Sequence, residues 1–134
     1  MSVVLVDSNV LLDIMTEDQQ WYAWSADALE EQAEEAVLAI NPIVYAEVSI
    51  RFDRIEELED ALPTTVIERA ALPWEAAFLA GKCFIRYRLR GGVRRSPLPD
   101  FYIGAHAAVR GWKLLTRDAT RYRSYFPTLR LIAP

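Results

Sequence analysis

The chain has 134 residues, is 52% hydrophobic and holds one cysteine, Cys83. A chain of this length buries about two-thirds of its unfolded surface in one core, its apolar content excludes disorder, and a lone cysteine excludes a disulfide framework and a cysteine-built zinc cluster. The net charge of −4 conceals a division: residues 1–67 carry 15 acids and 2 bases, whereas residues 68–134 carry 4 acids and 13 bases, 11 of them arginine.

Val3 to Val6 is apolar without alternation, the pattern of a strand buried on both faces. Asp7 ends it, and Ser8 and Asn9 follow before apolar character resumes in a helix over 8–15. Asp7 interrupts the apolar run after four residues, so no signal sequence is expected. No stretch is long enough to span a membrane. The expectation is one cytoplasmic domain over residues 1–134. A second helix is expected over 20–35, with Trp21, Trp24, Ala28 and Leu29 on one stripe and the two tryptophans in a core or an interface. A buried strand follows at 36–40, then the cap and first-turn pair Asn41-Pro42, a helix over 43–51 and another over 53–61. A short strand at 65–68 leads to a long helix from Pro73 to Arg90. The segment 86–95, "RYRLRGGVRR", then puts five arginines in ten positions around Gly91-Gly92. A helix over 100–110 closes at Gly111, a strand spans 113–116, a short helix follows Asp118, and a last strand covers 129–133. Strands alternating with helices predict an α/β fold, a parallel sheet of about four to five strands covered by helices on both faces.

Four carboxylates occupy matching places in this pattern. Asp7 and Asp118 stand where a strand hands over to a helix, and Asp100 opens a helix behind Pro99. For each alone, a helix cap is the simpler reading. Glu47 lies in "PIVYAEVSI", in a helix apolar on most sides, where a carboxylate needs a partner; Arg51, one turn along, is the obvious one. Taken together the four read differently. Parallel strands end on one sheet edge, where α/β folds bind ligands, and Asp7 and Asp118 would share it with the starts of the neighbouring helices. At an effective dielectric of ~20, carboxylates ~5 Å apart repel by about 3 kcal/mol per pair. Protons or a cation relieve this, and an oxygen-only donor set selects Mg²⁺ or Mn²⁺. Such ions commonly bind phosphate oxygens, so the chemistry implied is phosphodiester hydrolysis, with Arg86, Arg90, Arg94 and Arg95 placed to contact a polyanion or an acidic partner.

The stretches "VDSNVLLD", "NPIVYAEVS", "PDFYIGAHAAVRGWKLLTRD" and "YFP" together resemble the PIN-domain ribonucleases, and among them the VapC toxins of toxin–antitoxin pairs. The resemblance runs from residue 3 to 132 and implies a PIN-like three-layer sandwich. It implies a Mg²⁺- or Mn²⁺-dependent endoribonuclease with Asp7, Glu47, Asp100 and Asp118 as catalytic acids. Asp7, Asp100 and Asp118 would hold the metal, with Asn9 and Thr116 as supporting groups. It further implies an RNA substrate, a homodimer and inhibition by a small cognate antitoxin.

Other residues attract plainer readings. His106, the one histidine, lies in an apolar helix and reads as packed. Cys83 reads as core and Ser8 as a cap or supporting group. Tyr122, Tyr125 and Phe126 can stack on bases, though a C-terminal aromatic cluster more often packs. Asp13 fits the family pattern loosely and takes no role. A phosphatase working through an aspartyl-phosphate on Asp7 would want a second acid where Asn9 stands. A phosphorylation-regulated signalling domain would want an acid pair after the first strand and a lysine after a late one. A non-catalytic interaction module would not need all four acids.

Overall fold

The computed structural model describes residues 2–134. Five parallel strands form one sheet: β1 (Val3–Val6), β2 (Val37–Ile40), β3 (Ile67–Arg69), β4 (Lys113–Leu115) and β5 (Leu131–Ile132), in the order β3-β2-β1-β4-β5. Seven helices cover it: α1 (Ser8–Met15), α2 (Tyr22–Glu35), α3 (Pro42–Ser49), α4 (Ile55–Ala61), α5 (Trp74–Leu89), α6 (Pro99–Arg110) and α7 (Thr120–Tyr125). This is the expected PIN-like α/β sandwich.

The sheet order matters most for function. The chain steps outward from β1 to β2 to β3, then returns to lay β4 on the other side of β1. The direction of winding therefore reverses between β1 and β4, and such a reversal opens a crevice at the carboxyl ends of the two strands. Leu5 pairs with Leu114 and Val6 with Leu115, and the Asp7 N–H donates to the Leu115 carbonyl at 2.9 Å. Asp7 and Thr116 thus leave the sheet side by side.

Val4, Leu5, Val6, Leu38, Ile40, Leu114 and Leu115 are all buried, which explains why these strands show no alternation. α5 and α6 pack together, as do α1 and α2. Asn41 caps α3 by accepting from the Val44 N–H at 2.9 Å, and its amide nitrogen meets His106 Nδ1 of α6 at 3.1 Å. That pair links the helix carrying Glu47 to the helix carrying Asp100.

The boundaries differ from expectation where turn chemistry dominates. The strand expected at 65–68 forms at 67–69, because Pro63 accepts from the Val66 and Ile67 N–H groups and holds Thr64 and Thr65 in a turn. The helix expected over 43–51 begins at Pro42 and ends at Ser49, and that expected over 53–61 begins at Ile55. The last strand shrinks from 129–133 to two residues. The helix expected to open at Asp100 opens at Pro99, with Leu98 as its cap residue, so the Asp100 carboxylate is not used for capping. His106 is buried and uncharged, its pKa lowered to about 4 by burial and by the charge of Arg110. Cys83 is likewise buried. No described helix is long and apolar enough to cross a membrane.

Candidate functional site

A cleft of about 780 Å³ opens at the β1/β4 crevice, and Asp7, Glu47, Asp100 and Asp118 all line it. Four segments separated in sequence therefore deliver the four acids to one place. Asp7 comes from the end of β1, Glu47 from α3, Asp100 from the first turn of α6, and Asp118 from the turn between β4 and α7.

Asp7 is the anchored member. Its Oδ1 accepts from the Ser8 N–H at 2.7 Å, so the capping interaction is present. Its Oδ2 accepts from Thr116 Oγ1 at 2.9 Å and from the Tyr122 hydroxyl at 2.9 Å, with Asn9 Nδ2 at 3.4 Å. Asn9 Nδ2 also reaches Thr116 Oγ1 at 3.2 Å, and Asn9 Oδ1 accepts from the Arg117 N–H at 3.1 Å. Asn9 and Thr116 thus stand around Asp7. Burial pushes Asp7 up to about 6, and the charges of Asp100 and Glu47 add to it against the opposing hydrogen bonds from Thr116 and Tyr122.

Glu47 is half-buried. Its Oε1 accepts from Ser8 Oγ at 2.9 Å. The expected partner Arg51 is exposed and, among the described residues, forms no ion pair with it. The carboxyl is raised above its ordinary value by burial and by the charge of Asp100, and the Ser8 bond works the other way. Asp100 is raised by burial and by Asp118, against the nearby Arg121, whose Nη1 lies 3.8 Å from Asp100 Oδ2, and against Tyr122. Asp118 is exposed, and its Oδ1 accepts from the Thr120 N–H at 3.2 Å, a cap-like contact at the start of α7.

The groups in the cleft that could ligate a metal are all oxygens, with no His or Cys among the described residues that line it. Among the described residues, no three His, Cys, Asp or Glu side chains stand close enough to form a ready-made metal cage. The acids ring the cleft instead, as unneutralised carboxylates should. Such an arrangement fits a hard cation that keeps part of its water shell and needs only one or two carboxylates. Burial and like charges disfavour the ionised form of Asp7, and a nearby cation would favour it.

The basic rim differs from expectation. Arg90 lines the cleft together with Gly91 and Gly92, but Arg86, Arg94 and Arg95 do not. Arg86 is exposed, and its Nη2 donates to the Tyr125 carbonyl at 3.1 Å and to Cys83 Sγ at 3.3 Å. Arg94 and Arg95 sit beyond the glycine turn and are exposed. Arg121 takes a place on the rim that the sequence reading did not assign. Gly92 is required where it stands, because a Cβ there would lie 2.2 Å from the Tyr87 ring. The Tyr87 hydroxyl in turn accepts from the Val93 and Arg94 N–H groups, which pins the turn as one wall of the cleft.

Two further residues escaped the sequence reading. Tyr122, expected to pack or to stack on bases, is buried with its hydroxyl between Asp7 and Asp100. Asp13 is buried against Arg117 and accepts from its Nε at 3.1 Å and Nη2 at 3.2 Å. Ser25 Oγ adds a third bond to Asp13 at 2.8 Å, and the Trp21 ring lies under the Arg117 guanidinium. Asp13 thus has a role after all, bracing the residue next to Thr116 and Asp118. The helical spacing of Asp13 after Asn9 was its one available signal, and no sequence pattern announced its partner.

Comparison with known proteins agrees with the architecture. A search of the curated proteins finds no match. Among solved structures, the chain is similar to VapBC2 from Rickettsia felis, bound to a DNA fragment from its promoter, with a TM-score of 0.73, 19% identity and 98% of each chain covered. It is similar to VapBC-1 from nontypeable Haemophilus influenzae, with a TM-score of 0.72, 16% identity and 98% and 97% of the two chains covered. It is also similar to a toxin–antitoxin complex from Klebsiella pneumoniae, with a TM-score of 0.66, 21% identity and 96% and 95% covered. The PIN domain profile matches residues 4–126, from β1 through the end of α7. With that match over nearly its whole length, the chain belongs to the PIN domain family.

Proposed function

We propose that this protein is a Mg²⁺- or Mn²⁺-dependent endoribonuclease and the toxin of a toxin–antitoxin pair. The observation that carries the reading is the convergence of Asp7, Glu47, Asp100 and Asp118 on one cleft with arginines on its rim. Acids inside and cations outside suit a phosphodiester: the rim holds the backbone while the interior works on one phosphate. Membership in the PIN family, the resemblance to VapC toxins and the similarity to a chain of the Klebsiella complex support the toxin assignment.

Asp7, Asp100 and Asp118 would hold the divalent cation between them, one or two directly and the remainder through waters the ion keeps, and the ion when bound would neutralise charge on a phosphate and acidify water. Glu47 Oε1 is occupied by Ser8, leaving Oε2 to accept a proton from the attacking water. Burial and Asp100 raise its carboxyl, which favours that role. Arg90 and Arg121 would receive non-bridging phosphate oxygens.

The partners follow from the same reading: an RNA substrate, a cognate antitoxin and a second copy of the chain, all in the cytoplasm. An unpaired apolar stripe supports the homodimer. Trp74, Phe78, Ile85 and Leu89 recur along one side of α5, exposed by 88%, 68%, 51% and 82%, with the Lys82 ammonium over the Phe78 ring, and exposed apolar surface of this kind marks contact surfaces.

The test is cleavage of cellular RNA by purified protein freed of antitoxin, with Mg²⁺, with Mn²⁺ and with a chelator, beside Asp7→Asn. Discrete cuts that need the metal and vanish in the variant are the expected result. No cutting under any metal, or equal cutting by the variant, overturns the reading.

A further inference from the structure

Asp7 Oδ2 is unusually crowded. A carboxylate oxygen offers two in-plane lone pairs, and three donors converge on this one: Thr116 Oγ1 and Tyr122 OH at 2.9 Å each, and Asn9 Nδ2 at 3.4 Å. Oδ1 is occupied less fully. It takes the Ser8 N–H at 2.7 Å, while Ser8 Oγ stands 3.5 Å away and is closer to Glu47. One lone pair of Oδ1 therefore remains open.

Tyr122 also reaches Asp100. Its oxygen lies 3.4 Å from Asp100 Oδ1. One O–H carries one proton, and the shorter contact assigns it to Asp7. The ring is buried and cannot turn away. α6 leaves room for it through Gly104, where a Cβ would lie 2.4 Å from the Phe126 ring and 3.0 Å from the Tyr122 ring. A glycine on α6, an aromatic pair at the end of α7 and the two carboxylates are thus fitted to one another.

We propose that Tyr122 is a positioning residue, whose hydroxyl ties down Asp7 Oδ2 beside Asp100 so that Asp7 presents Oδ1 alone to a divalent cation. Tyr122 acts through Asp7 and need not touch the substrate. The inference rests on the metal-binding reading of the cleft.

The test compares wild type, Tyr122→Phe, Thr116→Val and the double variant. Tyr122→Phe keeps the buried ring and removes only the hydroxyl. The first readout is Mn²⁺ affinity by calorimetry, in the absence of RNA. The second is kcat and KM for RNA cleavage. Tyr122→Phe is expected to weaken Mn²⁺ binding by roughly 10-fold, the usual cost of losing a group that orients a ligand, and to lower kcat with KM unchanged. Thr116→Val acts on the same oxygen, so the double variant should lose less than the product of the two single losses. Unchanged Mn²⁺ affinity in Tyr122→Phe overturns the proposal, even if its melting temperature falls, because a residue that only packs would behave that way. Wild type that binds Mn²⁺ but cuts no RNA would refute the nuclease while leaving Tyr122 to be judged on affinity. Wild type that binds no Mn²⁺ refutes both.

Discussion

Arg117 lays two guanidinium nitrogens on the buried carboxylate of Asp13, at 3.1 and 3.2 Å, and so fastens the turn after β4 to α1. The backbone of Arg117 is held at the same time by Asn9. α1 thus grips this turn at two points one helical turn apart.

Removing one side of that pair strands the other. Asp13→Ala leaves both the Arg117 guanidinium and Ser25 Oγ without their acceptor, and urea unfolding should show a loss of about 2–4 kcal/mol. Arg117 is about a third exposed, with 31% side-chain accessibility against 4% for Asp13, so a stranded guanidinium reaches water more readily than a stranded carboxylate, and Arg117→Met should cost more than Asp13→Ala. An equal or smaller loss for Arg117→Met would show that Ser25 alone suffices to hold the buried carboxylate.

Asp7→Asn should stabilise the protein while removing activity. A carboxylate raised to about 6 in the folded state binds its proton more tightly there than when unfolded. Its contribution to stability is full below the unfolded value near 4 and is lost as pH rises to about 6. Above that it stands as a penalty on the order of 3 kcal/mol at most. Melting of Asp7→Asn against wild type should therefore show a gain of about 2–6 °C at pH 7.5 that disappears near pH 4. Added Mg²⁺ should raise the wild-type melting temperature and leave the variant unmoved.

Glu47→Gln keeps the acceptor for Ser8 and removes the base. Single-turnover cleavage should slow by roughly 10²–10⁴-fold, the range for loss of a general base. RNA binding should remain. The acid limb of the pH–rate profile assigned to Glu47 should flatten.

Rim arginines should register in salt dependence. Each arginine lost from a phosphate contact on a single strand lowers the slope of log K against log salt by about 0.7. Arg90→Ala and Arg121→Ala should each show that change in fluorescence-anisotropy titrations with RNA on an inactive background. Arg86→Ala should change the slope less, because Arg86 does not line the cleft and its Nη2 already donates to the Tyr125 carbonyl.

Phe78→Glu with Leu89→Glu should disrupt self-association. Sedimentation velocity is expected to give a dimer for wild type and a monomer for the double variant, with the far-ultraviolet spectrum unchanged because both side chains are exposed.

Much of this architecture is legible in the sequence because it rests on local rules. Val3–Val6 and Val37–Ile40 announce buried strands, and Asn41-Pro42 and Gly111 mark helix ends. Asp7 and Asp118 are legible for a related reason: parallel strands share a carboxyl edge, so residues just after strand ends meet, and the helix starts that carry Asp100 and, one turn on, Glu47 open on that same edge. Tyr122 is not legible. Its packing in the aromatic cluster is what sequence suggests, and only the approach of α6 at Gly104 shows that the hydroxyl ends on Asp7. The place of Arg86 is not legible either. Its position within an arginine-rich run says nothing about which side of α5 it occupies, and helical phase sets it, still exposed, beside Tyr125 and off the cleft. Glu47 has an obvious partner in Arg51, one turn along its own helix, yet it is Ser8, 39 residues earlier in the chain, that bonds to it.

The pairing of the first strand with the fourth also sets a timetable. The β1/β4 crevice cannot form until residue 115 has been made and has found Val6. A growing chain that has reached α6 already contains Asp7, Glu47 and Asp100, yet lacks Asp118, Tyr122 and the strand that would bring Thr116 to Asp7. Those last pieces reach the ribosome exit after nearly all the rest of the profile-matched chain. A cell therefore makes most of this protein before any of it can act as a nuclease, and the interval is written into the strand order.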